Sequence, residues 1–114
     1  MKLPNPERAV VELTKVRDYC LNPNHDDGKH KARVFASALG IRRSDAGWLR
    51  DCLLEAASGD AELVAVTTFG SLHVIDFRLR SSHGEAMVRS GWIVCAGENF
   101  PRLTTCFVKK EKPG

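Results

Sequence analysis

No apolar run in this chain approaches the ~18 residues of a membrane-spanning helix, and its opening, MKLPNPERAV, lacks the apolar centre of a signal peptide. A cytoplasmic protein with no membrane partner is therefore expected. There is no low-complexity tract and no internal repeat, which excludes a solenoid or a disordered tail protein. The four cysteines, Cys20, Cys52, Cys95 and Cys106, form no C-x-x-C pair and sit in apolar contexts such as WIVC and TTCFV. That usage argues against a disulfide scaffold and for reduced thiols. His25 and His30 are five apart with no cysteine nearby, a poor match to zinc spacing. No metal and no cofactor are expected. Charge of one sign is also scarce: 17 Lys plus Arg against 14 Asp plus Glu leave only +3, too little to force a nucleic-acid partner.

What the chain does have is a length of 114 residues, enough for one domain with its own core and too few for two. A single α+β domain is expected over residues 1–110, with 111–114 as a flexible tail. Its positive charge is gathered rather than spread, at Lys29 to Arg33, at Arg42 and Arg43, at Arg78, Arg80 and Arg89, and at Arg102, Lys109 and Lys110.

Two readings suit the opening LPNPERAVVE. Pro4 and Pro6 favour an extended lead-in with a short strand over Ala9 to Glu12, or Asn5 caps a helix with Pro6 as its first residue. Thr14 to Leu21 is helical on either reading, and Asn22-Pro23 breaks it. A helix is predicted over Lys29–Leu39, stopped by Gly40, with Ala32, Phe35, Ala36 and Leu39 inward. Lys31 falls about 40° from Phe35, on the margin of that face. Ser44 is expected to cap a further helix, Asp45 to about Ala57, with Trp48, Leu49, Cys52, Leu53 and Ala56 inside. After residue 60 the period changes to that of strands: ELVAVTTF, SLHVIDFRLR, EAMVRSGWIVC and RLTTCFVKK, joined by short connections. The predicted architecture is two to three N-terminal helices packed on one face of a four-stranded antiparallel meander. In the last strand Leu103, Thr105 and Phe107 alternate with Thr104, Cys106 and Val108, apolar on both sides, so the buried face stays open.

The stretch GKHKAR places Lys29, His30, Lys31 and Arg33 where a helix begins. A helix N-terminus already carries roughly half a positive charge, so cations there are unfavourable unless something negative offsets them. Asp26 and Asp27 stand where an N-cap belongs. A phosphate on the free N–H groups would supply the rest.

Tyr19, Asn22, Pro23, His25, Gly28, Lys31, Ala32, Phe35, Gly70, Trp92, Leu103 and Thr105 form a pattern that resembles a family of small bacterial toxin-like domains. It runs as a tyrosine-leucine helix end, an N-P-x-H loop, G-x-x-K-A-x-x-F, a glycine hairpin, a tryptophan strand and a closing L-x-T strand, from about Leu3 to Val108. The resemblance implies a toxin module, standing beside a small partner gene or at the tip of a larger toxin. Such modules are commonly nucleases. Helices followed by four strands also resemble the fold group of barnase, EndoU, RelE and a ribonuclease colicin, which implies metal-independent RNA cleavage and a cognate antitoxin or immunity protein. Two departures stand out: no lysine-rich helix of the RelE kind, and one sheet histidine, His73, in place of the EndoU pair.

Metal-free RNA cleavage needs a proton acceptor for the ribose 2′-OH, a donor for the departing 5′-oxygen, and cations for the charge growing on phosphorus. On that reading His25, Lys31 and Thr105 are the catalytic candidates. Lys29, His30, Arg33 and Arg102 would hold phosphate or nucleic acid, and Trp92 would stack on a base. Each has a plainer alternative. The cations suit a solvated helix end, His25 suits a turn, Trp92 and Trp48 suit the core, and Thr104 and Thr105 suit any strand. A non-catalytic module that binds RNA or an acidic partner protein through the same basic patch is the competing function.

Overall fold

The computed structural model describes residues 1–109; residues 110–114, with the expected tail 111–114, lie outside the described residues. The two readings of the opening are each half realised. Asn5 takes a left-handed conformation (φ 46°) and Pro6 starts a single 3-10 turn, Pro6–Arg8. Val10 then forms a lone parallel bridge with Arg102. Helix α1, Leu13–Lys15, passes directly into a π-helical segment, Val16–Cys20. The wider turn brings Val16 and Cys20 inward together. Helix α2, Lys29–Leu39, ends as predicted on Gly40 at φ 65°.

Helix α3, Ala46–Ala56, follows a 3-10 turn over Arg43–Asp45. Ser44 makes no cap bond; the Asp45 carboxylate instead accepts the Arg42 N–H at 2.9 Å. The buried stripe is Ala46, Leu49 and Leu53, at helical spacing. Trp48 is one residue, or 100°, off that stripe, and 44% of it is exposed, which corrects its expected place in the core.

Four strands, β1 Glu62–Thr67, β2 Gly70–Arg80, β3 Glu85–Cys95 and β4 Arg102–Val108, pair antiparallel in sequence order. The α+β meander is thus as predicted, with the helices against one face. That face presents His73, Ile75 and Leu79 of β2, Val88, Ser90 and Trp92 of β3, and Leu103 and Cys106 of β4, all buried. Its two polar positions are served in different ways. Ser90 donates to the Ile75 carbonyl at 2.8 Å and accepts the Trp92 indole N–H at 2.9 Å, so a fully buried tryptophan brings its polar atom inside satisfied. His73 Nε2 lies 2.9 Å from Ser71 Oγ, while its buried Nδ1 has no partner among the described residues.

A bulge resolves the ambiguity of β4. Gly91 pairs with Thr105 but Trp92 with Leu103, leaving Thr104 as the extra residue. Leu103 and Cys106 therefore both face the helices although they are three apart, and Thr104 and Thr105 share the other face. Both threonines lie over Gly91, where a Cβ would come within 2.8 Å of Thr104 Oγ1 and 3.2 Å of Thr105 Cγ2. The expectation that one threonine must turn away is corrected by that one inserted residue. On the same open face Asp76 takes a bidentate Arg89 (2.8 and 3.0 Å) and Lys109 (3.0 Å).

Edge strand β1 is the least covered element: Leu63, Val64 and Val66 are 48%, 54% and 73% exposed, and Phe69 at the hairpin tip 78%. Among the described residues no helix is long and apolar enough to cross a membrane.

Candidate functional site

The loop before α2 is organised by His25. Asn22 Oδ1 first accepts the Asn24 N–H at 3.0 Å, closing the Asn-Pro-Asn turn. The His25 ring then takes the place of an N-cap: Nδ1 accepts the N–H groups of Asp27 and Gly28, each at 3.0 Å. The His25 carbonyl accepts the Lys29 N–H at 2.9 Å. Asp26 and Asp27 make no cap bond, contrary to expectation, and Gly28 is the capping position. An imidazole nitrogen that accepts two N–H groups carries no proton, so the neutral ring holds its proton on Nε2.

Gly28 fits only because it has no side chain, since a Cβ there would stand 2.1 Å from the Tyr19 carbonyl oxygen. This contact locks the start of α2 onto the π-helical segment and fixes Tyr19. The His25 ring meets the Tyr19 ring edge-on, with centroids 5.0 Å apart and planes at 76°. The Lys31 ammonium hydrogen-bonds the Tyr19 hydroxyl, 4.6 Å from that ring's centre and 6.0 Å from the Phe107 ring. Lys31 is half-buried, as its marginal position on the helix predicted.

Beneath this cluster lie the free thiols of Cys20 and Cys106. Their mutual hydrogen bond, aided by the Lys31 charge, lowers the Cys20 pKa, while the same bond and burial raise that of Cys106 well above the thiol range. Only the first of the two protons is easier to remove.

The remaining candidates do not join the cluster as one patch. Helix α2 divides GKHKAR between two sides. His30 and Lys31 line a hollow of about 200 Å³ with Val34, Phe107 and Val108. Arg33 instead lines one of about 310 Å³ with Pro23, Arg42 and Arg43. Thr105 lies on the open face of the sheet two residues from Phe107, its buried Oγ1 without a partner among the described residues. Arg102 forms a two-pronged pair with Glu98 (2.9 Å for both bonds) and lies 5.0 Å from the centre of the Phe100 ring. That pairing lowers the Glu98 pKa and raises that of Arg102. Trp92 has no exposed surface on which a base can stack, and its candidacy for binding is corrected on that ground.

Tyr19 is the residue that reasoning about proton chemistry passed over. Its signal was present in the pattern, as the tyrosine nine residues before the glycine that its own carbonyl requires.

The profile of a domain of unknown function, DUF6883, matches residues 2–110, and the chain belongs to that family. No curated protein matches it. Among solved structures the fold is similar to a chain of a contact-dependent growth inhibition toxin–immunity protein complex from Klebsiella pneumoniae 342. The TM-score is 0.70 at 16% identity, over 88% of this chain and 99% of that one. At that identity the likeness is one of fold.

Proposed function

We propose that this DUF6883 domain is a toxin module that cuts RNA in the cytoplasm without metal or cofactor, restrained by a cognate antitoxin or immunity protein. The observation that carries the reading is the Tyr19–His25–Lys31 cluster, held together by Gly28 and open to solvent at a cationic helix start. The fold it shares with a chain of a toxin–immunity protein complex fits a member of such a pair, toxin or immunity protein, and the cluster is what favours the toxin.

In this reading the 2′-oxygen of ribose attacks phosphorus, its proton passing to water, and a 2′,3′-cyclic phosphate forms as the 5′-oxygen leaves. The departing oxygen takes a proton from the Tyr19 hydroxyl, which the hydrogen-bonded Lys31 ammonium replaces. His25 differs from the proton shuttle first expected. With Nδ1 committed to two backbone N–H groups, its Nε2–H donates to a phosphate oxygen, and Lys29 offers a further donor. The negative charge that grows on phosphorus then meets donors already in place.

A second reading, a non-catalytic module for RNA or an acidic partner, is favoured by one feature. Arg102 and the His25 ring nitrogen are both occupied by internal bonds that stabilise loops.

Controlled expression of the wild type, Lys31→Ala and Tyr19→Phe, with total RNA resolved on a gel, separates the two. Growth arrest with new RNA fragments, lost in both variants while thermal unfolding stays cooperative, supports the ribonuclease. Wild-type RNA left intact, or fragments unchanged in Lys31→Ala, overturns it.

A further inference from the structure

The side of α2 away from Lys31 holds a second arrangement that the proposed cleavage does not use. The floor of the 310 Å³ hollow is apolar, built from Leu21, Pro23, Ala32, Ala36 and Ile41, and every charged residue that lines it is an arginine. Arg43 is answered by Asp18 at 2.7 Å, and together Arg17 and Arg43 hold the Asp18 pKa at about 2. Arg33 and Arg42 have no carboxylate partner for their guanidinium groups among the described residues. Two unanswered cations at the mouth of an apolar slot call for an anion with a flat apolar part.

Ile41 forms the wall between this slot and a hollow of about 470 Å³, which also holds Trp48. An indole 44% exposed beside a cavity is a poor choice for solvent and a good one for stacking. Asp45, the acidic residue of this second hollow, accepts the backbone N–H of Arg42 at 2.9 Å, which fixes its carboxylate without cancelling its charge, and Arg80 lies 3.7 Å from Glu85. Net positive charge is therefore left on the Arg33 and Arg42 side, and the aromatic platform on the other.

We infer that the double groove centred on Ile41 binds single-stranded RNA, with one base against Trp48 and neighbouring phosphates on Arg33 and Arg42. This subsite rests on the RNA reading above and gives it a place to hold the strand beyond the cleaved phosphate. Unstacked bases on aromatic side chains with arginine on the backbone are how single strands are held without a duplex. The charge complementarity favours this occupant over an apolar protein segment, which would leave both guanidinium groups unanswered.

The chain has two tryptophans, and Trp92 is fully buried, so Trp48 is a built-in reporter. The test is a fluorescence titration of the full chain with a six-residue oligoadenylate whose 2′-hydroxyls are methylated, so that it cannot be cut. Trp48 emission is expected to be quenched. Trp48→Ala, which removes the reporter, is expected to weaken binding by about 10- to 100-fold when binding is followed by the anisotropy of the same oligonucleotide carrying a fluorescein label. Arg33→Ala with Arg42→Ala should lower the salt slope, log K against log salt, by about 1.4, two phosphates at ~0.7 each. Binding with unchanged Trp48 emission, and with the double arginine variant equal to wild type, overturns the subsite and leaves the RNA reading standing. A wild type that binds no oligonucleotide at low salt overturns both. Quenching by an acidic peptide and not by the oligonucleotide overturns the subsite in favour of a protein surface.

Discussion

Replacing Gly28 by alanine tests the junction on which the proposed site depends. The backbone at Gly28 is ordinary, φ −92° and ψ −13°, so an alanine meets no conformational penalty there. The entire cost is steric. The new Cβ would stand 2.1 Å from the Tyr19 carbonyl oxygen and 2.9 Å from its carbon. Carbon and carbonyl oxygen ordinarily approach to about 3.3 Å, so one side must yield by about 1 Å. Neither side is a flexible side-chain end: one is the capped start of α2, the other the backbone of the π-helical segment. Overpacking of this kind costs about 3 kcal/mol, or roughly 12 °C in Tm for a domain of this size. Urea denaturation should show a lower midpoint with an unchanged slope. Because the shift carries the Tyr19 hydroxyl away from Lys31, toxicity should fall with it.

Two controls isolate the cause. Nothing lies within 4 Å of a Cβ at Gly47 inside α3, and alanine there should stabilise by about 0.5–1 kcal/mol. Gly97 is equally open but sits at φ 83°, and alanine should cost about 1 kcal/mol from backbone strain alone. A Gly28→Ala protein as stable as wild type would refute the close approach of Tyr19 and, with it, the geometry of the cluster.

Burial holds the His73 imidazole below its ordinary 6.5, so the unfolded chain binds a proton that the folded one refuses. Stability is then full above about pH 6.5 and falls as pH drops; urea midpoints between pH 7 and 5 should decline less steeply in His73→Gln, and an equal slope would exclude His73 as the cause. Ser81 Oγ donates to the Leu39 carbonyl at 2.6 Å and accepts the His83 and Gly84 N–H groups at 3.2 Å. Ser81→Ala should cost about 1–2 kcal/mol in the same assay. Lysine in place of Val66 and of Phe69, on the exposed edge, should change stability by no more than about 0.5 kcal/mol and reduce concentration-dependent association in sedimentation.

Local rules carried far in this chain. Gly40 after Leu39, the apolar spacing of Ala32, Phe35 and Leu39, and the switch to strand period after residue 60 each depend on neighbours within a few residues, and each appears as predicted. So does the marginal seat of Lys31, because it follows from helix geometry alone. One failure was local: Ser44 makes no cap bond because the Asp45 carboxylate closes a 3-10 turn on the Arg42 N–H. The others arose where distant segments set the outcome. Trp48 lies off a stripe whose centre is fixed by the elements that pack on it. The β4 alternation could not show the bulge, which exists only in register with β3 and requires Gly91 opposite the two threonines.

The candidate site divides along the same line. By itself the sequence determined that cations, a histidine and a glycine crowd one helix start, since that is a matter of order along the chain. Only the tertiary structure decided that Tyr19 is the centre of the cluster, that the His25 ring caps the helix, and that Arg33 belongs to a different groove from Lys31. The physical reason is that these facts are contacts across packed elements: a carbonyl 2.1 Å from an absent Cβ, and a helix whose two sides face different neighbours.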